Sequence, residues 1–509
     1  MTGTTGLKPT ALSARIAEIL AIDPAAPALE FERRWYSWGE LRSTVDSIAA
    51  LVSSPGAPVG IILRNRPAHV GSLLGVLRAG GCVVTINPQR GIERTRDDIA
   101  GLDVDAIIGT AHDLAALVAP STTVTTIAVD DLAQDPQVAH GRAAEVDARG
   151  VGAAVAVAML TSGTTGAPKR IDLTYDTLER VLLGAKYYEK DQAPRTRLGS
   201  GVTIVNSPLV HLGGLFRILL SVNDGRSMAL LERFSVDAWY DAVRRHHPRT
   251  STLVPTALRM VLEADLDPVE LSSIKSIVCG TAPLSADDAD AFSAKYGIPV
   301  LISYAATEFG GPVAGWNLAD HAEYWQAKRG SVGRAHPGSE LRIVDEDDGH
   351  VLASGGEGLL EVKAGQLGEQ GGWIRTTDLA RIDEDGFVWI LGRADQAIIR
   401  GGFKVRPDDV RAALESHPGV RGAAVIGVAD ERLGAVPVAV VELRLAEGAG
   451  GVVSSPDLLE YLATRLAPYE IPTDITIVEV LPRTDSGKVD LLGVRALIAE
   501  PTVGLARGR

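Results

Sequence analysis

Apolar residues recur at intervals of three and four in "ALSARIAEILAI", a spacing that predicts an amphipathic helix near the N-terminus. "WYSWGELRSTVDSIAALV" reads as a short strand followed by a second such helix, and "PVGIILRN" as a buried strand. "PAHVGSLLGVLRAGGCVVTINP" gives helix, glycine stop and strand in succession. Further short β-branched runs follow: "DAIIGT", "TTIAVD", "GVTIVNS", "SMALLE", "TSTLVP" and "SIKSIVCG", with helical patterns between several of them. Strands alternating with helices imply an α/β architecture on largely parallel sheets.

The later chain changes period. "LRIVDEDDGHVLASGGEGLLEVK" and "LARIDEDGFVWILGR" read as hairpins, each with an acidic glycine turn. Beyond "GRADQ" come strand and helix patterns, a helix in "SPDLLEYLATRLAPYE" and a strand in "DITIVEVLP". They form a compact α+β unit of about a hundred residues. "AEGAGGVVSS" reads as a surface loop. The expectation is a large domain over 1–393, made of α/β subdomains with mostly parallel sheets plus a β-rich part. A small, mobile α+β domain over 394–509 follows it.

Composition narrows what such a chain serves. With 509 residues, 46% hydrophobic and 22% charged, it reads as soluble, globular and multidomain. A net charge of −14 argues against non-specific nucleic-acid binding, which needs a basic face. Small anionic ligands stay open, because local donors outweigh a global field. Cys82 and Cys279 each border an apolar run, which predicts buried reduced thiols rather than a disulfide or a metal site. The N-terminus lacks a signal core, and the apolar run 151–160 is too short to span a bilayer. A cytoplasmic monomer or homodimer is expected.

"AVAMLTSGTTGAPKRIDLTY" (156–175) carries the first chemistry. An apolar run delivers the chain into Thr161, Ser162, Gly163, Thr164, Thr165 and Gly166, and Lys169 follows. Glycines allow close backbone approach, successive N–H groups can face an anion, and hydroxyls and an ammonium add donors. The spacing is neither a Walker A loop nor a dinucleotide fingerprint. Composition alone also fits an ordinary surface loop.

"TSGTTGAPK" resembles the phosphate loop of the adenylate-forming superfamily, which includes acyl-CoA synthetases, peptide-synthetase adenylation domains and luciferases. Further segments resemble that family in order: "LRAGGCVVTINP" (77–88), "SPLVHLGGL" (207–215), "GTAPL" (280–284), "YAATE" (304–308), "RTTDLA" (375–380), "GRADQAIIRGGFKVRP" (392–407) and "LPRTDSGKVD" (481–490). Together they span nearly the whole chain. Four departures stand out. Arg170 and Thr377 stand where the family tends to have Gly, Asp490 where it often has Arg, and "AGQLGEQGGW" is a shortened segment.

The resemblance implies a two-step reaction. A carboxylate attacks the α-phosphate of ATP and expels pyrophosphate; an acceptor then takes the acyl group and releases AMP. By this likeness Glu308 holds Mg²⁺ and Thr307 donates to the α-phosphate. Lys488 places a point charge on the adenylation transition state. The phosphate loop with Lys169, and Gly280, Thr281, Ala282 and Tyr304, bind the nucleotide. Asp378 takes the ribose hydroxyls with Arg393 assisting, Asp395 is the hinge, and Gly402 belongs to the loop facing the pantetheine of coenzyme A. Leu209, His211, Leu212, Phe216, Phe309 and Trp316 line the acid pocket, with His211 as a gate.

An apolar pocket with no aspartate at the start of its segment favours a fatty or aromatic carboxylic acid. Coenzyme A is the expected acceptor, because no carrier domain is evident. A small amine, giving an amide, is the alternative. A non-catalytic acyl-adenylate-binding protein is a third, disfavoured by Glu308, Asp378 and Lys488 occurring together.

Overall fold

A computed structural model describes residues 10–52, 54–119, 124–132, 134–139, 154–160, 169–185, 196–368, 371–444, 453–484 and 487–499. By packing, the chain falls into two compact units. The first comprises 1–313, 336–339 and 364–372; the second comprises 314–335, 340–363 and 373–509.

The first unit contains a seven-stranded sheet ordered Gln137–Ala139, Thr125–Ala128, Ala106–Gly109, Pro58–Ile62, Cys82–Ile86, Val155–Leu160 and Arg170–Thr174. The inner pairs are parallel and both edge strands are antiparallel. Strands Pro58–Ile62 and Cys82–Ile86 are buried on both faces, as their unbroken apolar runs require. Helix Pro67–Arg78 connects them and is buried at every position except Arg78. It can be so because Gly71 and Gly75 let helix Trp38–Leu51 approach closely: a Cβ on Gly75 would lie 2.6 Å from the Ile48 Cβ. A reciprocal capping box between Ser37 and Glu40 starts that second helix.

A second sheet orders Val202–Val205, Ser227–Leu230, Pro27–Phe31 and Arg34–Ser37. A third set of parallel strands, Thr250–Leu253, Ser276–Cys279 and Val300–Ala306, completes the α/β part of this unit. Both cysteines are buried and free. Burial pushes each thiol up to about 12, which leaves it inert at neutral pH.

The second unit contains an antiparallel sheet of Glu340–Val344, Glu357–Lys363, Ile374–Ile382 and Val388–Arg393. These are the hairpins that the acidic glycine turns predict. The C-terminal part is built on the long hairpin Val420–Asp430 and Gly434–Leu443, with Ile398–Arg400, Phe403–Val405 and Asp474–Val478 beside it. Helices Pro407–Glu415 and Ser455–Ala463 cover one core, where Val410, Leu414, Leu458 and Leu462 are fully buried. Helix Leu491–Ala499 packs Val494 into another. Among the described residues no helix is long and apolar enough to cross a membrane.

Candidate active site

In α/β sheets ligands gather at the carboxyl ends of parallel strands. Four such ends in the first unit carry most of the residues that the sequence singles out.

Strand Val155–Leu160 runs directly into the phosphate-loop motif. Thr161, Ser162, Gly163, Thr164, Thr165 and Gly166 lie outside the described residues. Lys169 is described and exposed at the exit of the motif. Arg170 is accounted for. Its guanidinium grips both oxygens of Asp98 at 2.9 and 2.8 Å and donates to the Thr85 carbonyl at 2.8 Å. The added charge is thus neutralised by a guanidinium–carboxylate pair, Nη2 to both oxygens, that ties strand Arg170–Thr174 to helix Ile92–Ala100.

Strand Ser276–Cys279 ends in Gly280, where a Cβ would stand 2.8 Å from the Ser303 carbonyl oxygen. Thr281 follows with φ 74°, a left-handed value that a β-branched residue adopts rarely and at a cost of about 1–3 kcal/mol. The strained residue is exposed. Ala282 follows it, half-buried.

Strand Val300–Ala306 carries Tyr304 and passes into one tight turn, Thr307–Phe309. Gly310, at φ 74°, closes the turn by donating to the Thr307 carbonyl at 2.9 Å. Glycine is required there twice over: for its φ, and because a Cβ would meet Thr177 at 2.6 Å. Phe309 anchors the turn, 2% exposed and 6.0 Å from the Tyr304 ring. The turn therefore displays Glu308 outward while Phe309 points in. A single exposed carboxylate on a rigid turn fits a hard divalent ion whose other ligands are phosphate and water.

The fourth end follows strand Val202–Val205. Asn65, 5% exposed, stitches this region together. Its amide donates to the carbonyls of Ser207 and Leu231, both at 3.0 Å, and its Oδ1 accepts from the Leu209 N–H at 2.8 Å. Sequence reasoning passes over Asn65; the signal it offers is a buried polar residue shortly after the strand Pro58–Ile62. Leu209 is fully buried in the main core, and Leu212 and Phe216 pack partly against it. His211 is the residue preceding helix Leu212–Asn223. Gly214 is obligatory, since a Cβ there would overlap the Pro208 carbonyl at 2.2 Å.

In the second unit, Asp378 pairs in register with Arg393 across two antiparallel strands. The Asp378 N–H donates to the Thr376 hydroxyl at 3.0 Å, and that hydroxyl donates to the Leu360 carbonyl at 2.8 Å. Arg393 closes on Asp395 at 2.9 and 2.8 Å and donates to the Thr377 hydroxyl at 2.7 Å. Thr377, a departure from the family pattern, is thus a hydrogen-bond partner of Arg393. Gly401 and Gly402 take consecutive left-handed conformations, φ 58° and 92°, and a Cβ on Gly402 would face open space. Trp316 is taken up by packing, edge-on to Trp325 at 5.4 Å and 4.9 Å from Phe387, with its indole N–H on the Ser331 carbonyl at 2.9 Å.

Lys488 sits on a tight return. Its carbonyl accepts from the Thr484 N–H at 2.7 Å, Gly487 turns at φ 78°, and Arg483 bridges to Val489. Asp490 caps the last helix: its carboxylate accepts from the Leu492 N–H at 3.0 Å and its carbonyl from Val494 at 2.9 Å. Behind the return stands Glu442, 1% exposed. It accepts from Arg421 at 2.8 Å, from the Leu481 N–H at 3.0 Å and from Arg483 at 3.5 Å. Sequence reasoning missed Glu442, although an acid inside "AVPVAVVELR" is a signal.

Known proteins share this arrangement. The chain matches the model of the AMP-binding enzyme family over residues 17–369 and that of the AMP-binding enzyme C-terminal domain over 409–488. It is 28% identical to 4-coumarate–CoA ligase 1 of Oryza sativa subsp. japonica, over 85% of this chain and 81% of the relative. It is 32% identical to 2-succinylbenzoate–CoA ligase of Bacillus subtilis (strain 168), over 72% and 73%. The crystal structure of ATP-bound MatB from Rhodopseudomonas palustris superposes with a TM-score of 0.79 at 26% identity, covering 96% of this chain and 98% of that one. The ordered motifs, the strand-end geometry and these matches agree: the chain belongs to the AMP-binding enzyme family of adenylate-forming enzymes.

Proposed function

We propose that this chain activates an aromatic or fatty carboxylic acid as its acyl-adenylate and then passes the acyl group to coenzyme A, releasing AMP. The observation that carries this reading is the rigid turn Thr307–Phe309, which presents Glu308 at the carboxyl end of a parallel strand next to the strand that ends in strained Thr281. Transfer to a phosphorus centre calls for positioning and charge neutralisation more than covalent help from the protein.

In this reading the phosphate loop, Thr307 and Lys169 hold the triphosphate, and Glu308 holds Mg²⁺, which offsets phosphate charge when bound. Gly280, Thr281, Ala282 and Tyr304 flank the nucleotide, and Asp378 accepts from the ribose hydroxyls with Arg393 beside it. Lys488 stabilises charge as the carboxylate oxygen meets the α-phosphorus. Leu209, His211, Leu212, Phe216 and Phe309 surround the acid, whereas Trp316 is engaged in packing within the second unit. Movement of residues 394–509 about Asp395 separates the half-reactions, and the Gly402 loop serves the second. The CoA-ligase names of the relatives favour a thiol acceptor.

Acid-dependent ATP–pyrophosphate exchange over a panel of aromatic and aliphatic acids tests the first step. Absence of exchange with every acid sinks it. Mass spectrometry of products with coenzyme A and with amines offered separately tests the second; an amide without any thioester overturns the coenzyme A assignment.

A further inference from the structure

Most of the half-buried arginines in the first unit answer a carboxylate. Arg64 meets Asp113 at 2.7 Å, Arg170 meets Asp98 at 2.8 Å, Arg259 meets Asp288 at 2.7 Å, and Arg245 meets Glu30. Arg217 meets no carboxylate among the described residues; it donates to the Thr252 hydroxyl. A guanidinium has five N–H donors and stays charged inside a protein, so one hydroxyl leaves most of its capacity unused. Burial lowers its pKa only to about 10, so it still carries its charge at neutral pH. Arg217 is half-buried, so its charge is only partly hydrated and has no counter-charge beside it, a setting that a ligand anion completes.

Its position says which ligand. Arg217 lies on helix Leu212–Asn223, next to Phe216 and six residues beyond His211, both assigned to the acid pocket. Helical side chains lean toward the N-terminus, so Arg217 lies over the turn that carries Gly213. That glycine is exposed, and a Cβ on it would meet nothing within 4 Å. Space therefore stands open on this helix face one turn before Arg217. On the other side Asn206, which follows strand Val202–Val205, donates from its amide to the Thr252 carbonyl at 2.9 Å. The hydroxyl of Thr252 and the amide of Asn206 make this a polar corner in an otherwise apolar region. A carboxylate suits a planar two-pronged donor better than any neutral group.

We propose that Arg217 is a specificity-determining residue, selecting carboxylic acids that bear a second carboxylate at the end remote from the one activated. This rests on the adenylation reading above and narrows its substrate class. An aromatic or aliphatic body packs along Leu212 and Phe216, and the distal carboxylate takes the free prongs of Arg217.

The test is pyrophosphate exchange on matched pairs: terephthalate against 4-methylbenzoate, and adipate against hexanoate. The unmodified enzyme should prefer the diacid of a pair by about ten- to a hundredfold in kcat/KM. Arg217→Met should lower the diacid value far more than the monoacid value, chiefly through KM, and Arg217→Lys should restore part of the preference. Preference for the monoacids in the unmodified enzyme overturns the proposal and leaves the adenylation reading intact. Equal loss on both members of each pair in Arg217→Met, with no recovery in Arg217→Lys, assigns the residue to structure and also overturns it. Exchange with no acid at all overturns the adenylation reading, and this proposal with it.

Discussion

Arg393 holds Asp395 with two hydrogen bonds, at 2.9 and 2.8 Å, and the same guanidinium reaches back to the Thr377 hydroxyl at 2.7 Å. The residue assigned to the hinge is therefore clamped by the arginine assigned to the ribose, across a span of two residues. The pair is about one-third exposed. Solvent screening limits its worth to ~0.2–1 kcal/mol.

Asp395→Ala should for that reason leave thermal stability nearly unchanged, a shift of about a few degrees at most. It should nevertheless alter turnover, because the local backbone loses the contact that selects one hinge conformation. Single-turnover adenylation and thioester formation, measured separately beside a melting curve, check this. A melting temperature that falls in step with activity would assign Asp395 to structure alone.

Lys488 and Glu442 make a paired prediction. Lys488→Ala should cripple adenylation and largely spare thioester formation from a supplied acyl-adenylate, since the ammonium acts on charge that develops only in the first step. Glu442 lies behind the same loop and holds Leu481 and Arg483. Glu442→Ala leaves two half-buried arginines without their carboxylate and should cost about 1–3 kcal/mol in denaturant unfolding. Glu442→Gln keeps the volume and should fold, yet lose adenylation more than thioester formation. Equal loss in both half-reactions for Lys488→Ala and Glu442→Gln would refute the division of labour.

Much of the architecture is local enough to read from the chain. The unbroken run "PVGII" and the glycine stop after helix Pro67–Arg78 mark a buried parallel strand and a crossover before any coordinates exist. The acidic turns mark the antiparallel hairpins. Long-range partners are what the sequence leaves hidden. Nothing in "KRIDLT" announces that Arg170 answers Asp98, 72 residues earlier, so its charge reads equally well as a phosphate ligand. Asn65 joins segments 142 and 166 residues away, a relationship no periodicity encodes. Glu308 stands out in the sequence only because "YAATE" carries its neighbours with it; an isolated acid after a strand signals nothing. Asp490 was read as a departure, though Asp before "LLGVRALI" is also an ordinary helix start.

Thr281 tests whether backbone strain serves the site. Its φ of 74° suits glycine, so Thr281→Gly should be neutral to stabilising by about 1 kcal/mol. The same change removes the hydroxyl and loosens the loop next to the assigned nucleotide position. Denaturant midpoints should hold or rise while the KM for ATP rises. A variant that is less stable and equally active would show that the left-handed residue is a folding feature without a part in binding.

His69 predicts the acid limb of stability. It is fully buried on helix Pro67–Arg78, and its Nδ1 accepts from the Arg64 N–H at 2.7 Å. Burial is the leading reason its pKa falls from 6.5 to about 4. The folded protein therefore binds fewer protons at this position than the unfolded chain does between those values. Stability from the neutral ring is complete above pH 6.5 and is lost as pH falls toward 4, by up to about 3 kcal/mol at roughly 1.4 kcal/mol per pKa unit. His69→Gln retains an acceptor and cannot titrate. Urea unfolding at pH 7.0 and pH 4.5 should show the unmodified protein losing more stability than the variant over that interval. Parallel losses in the two proteins would mean that His69 does not govern this limb.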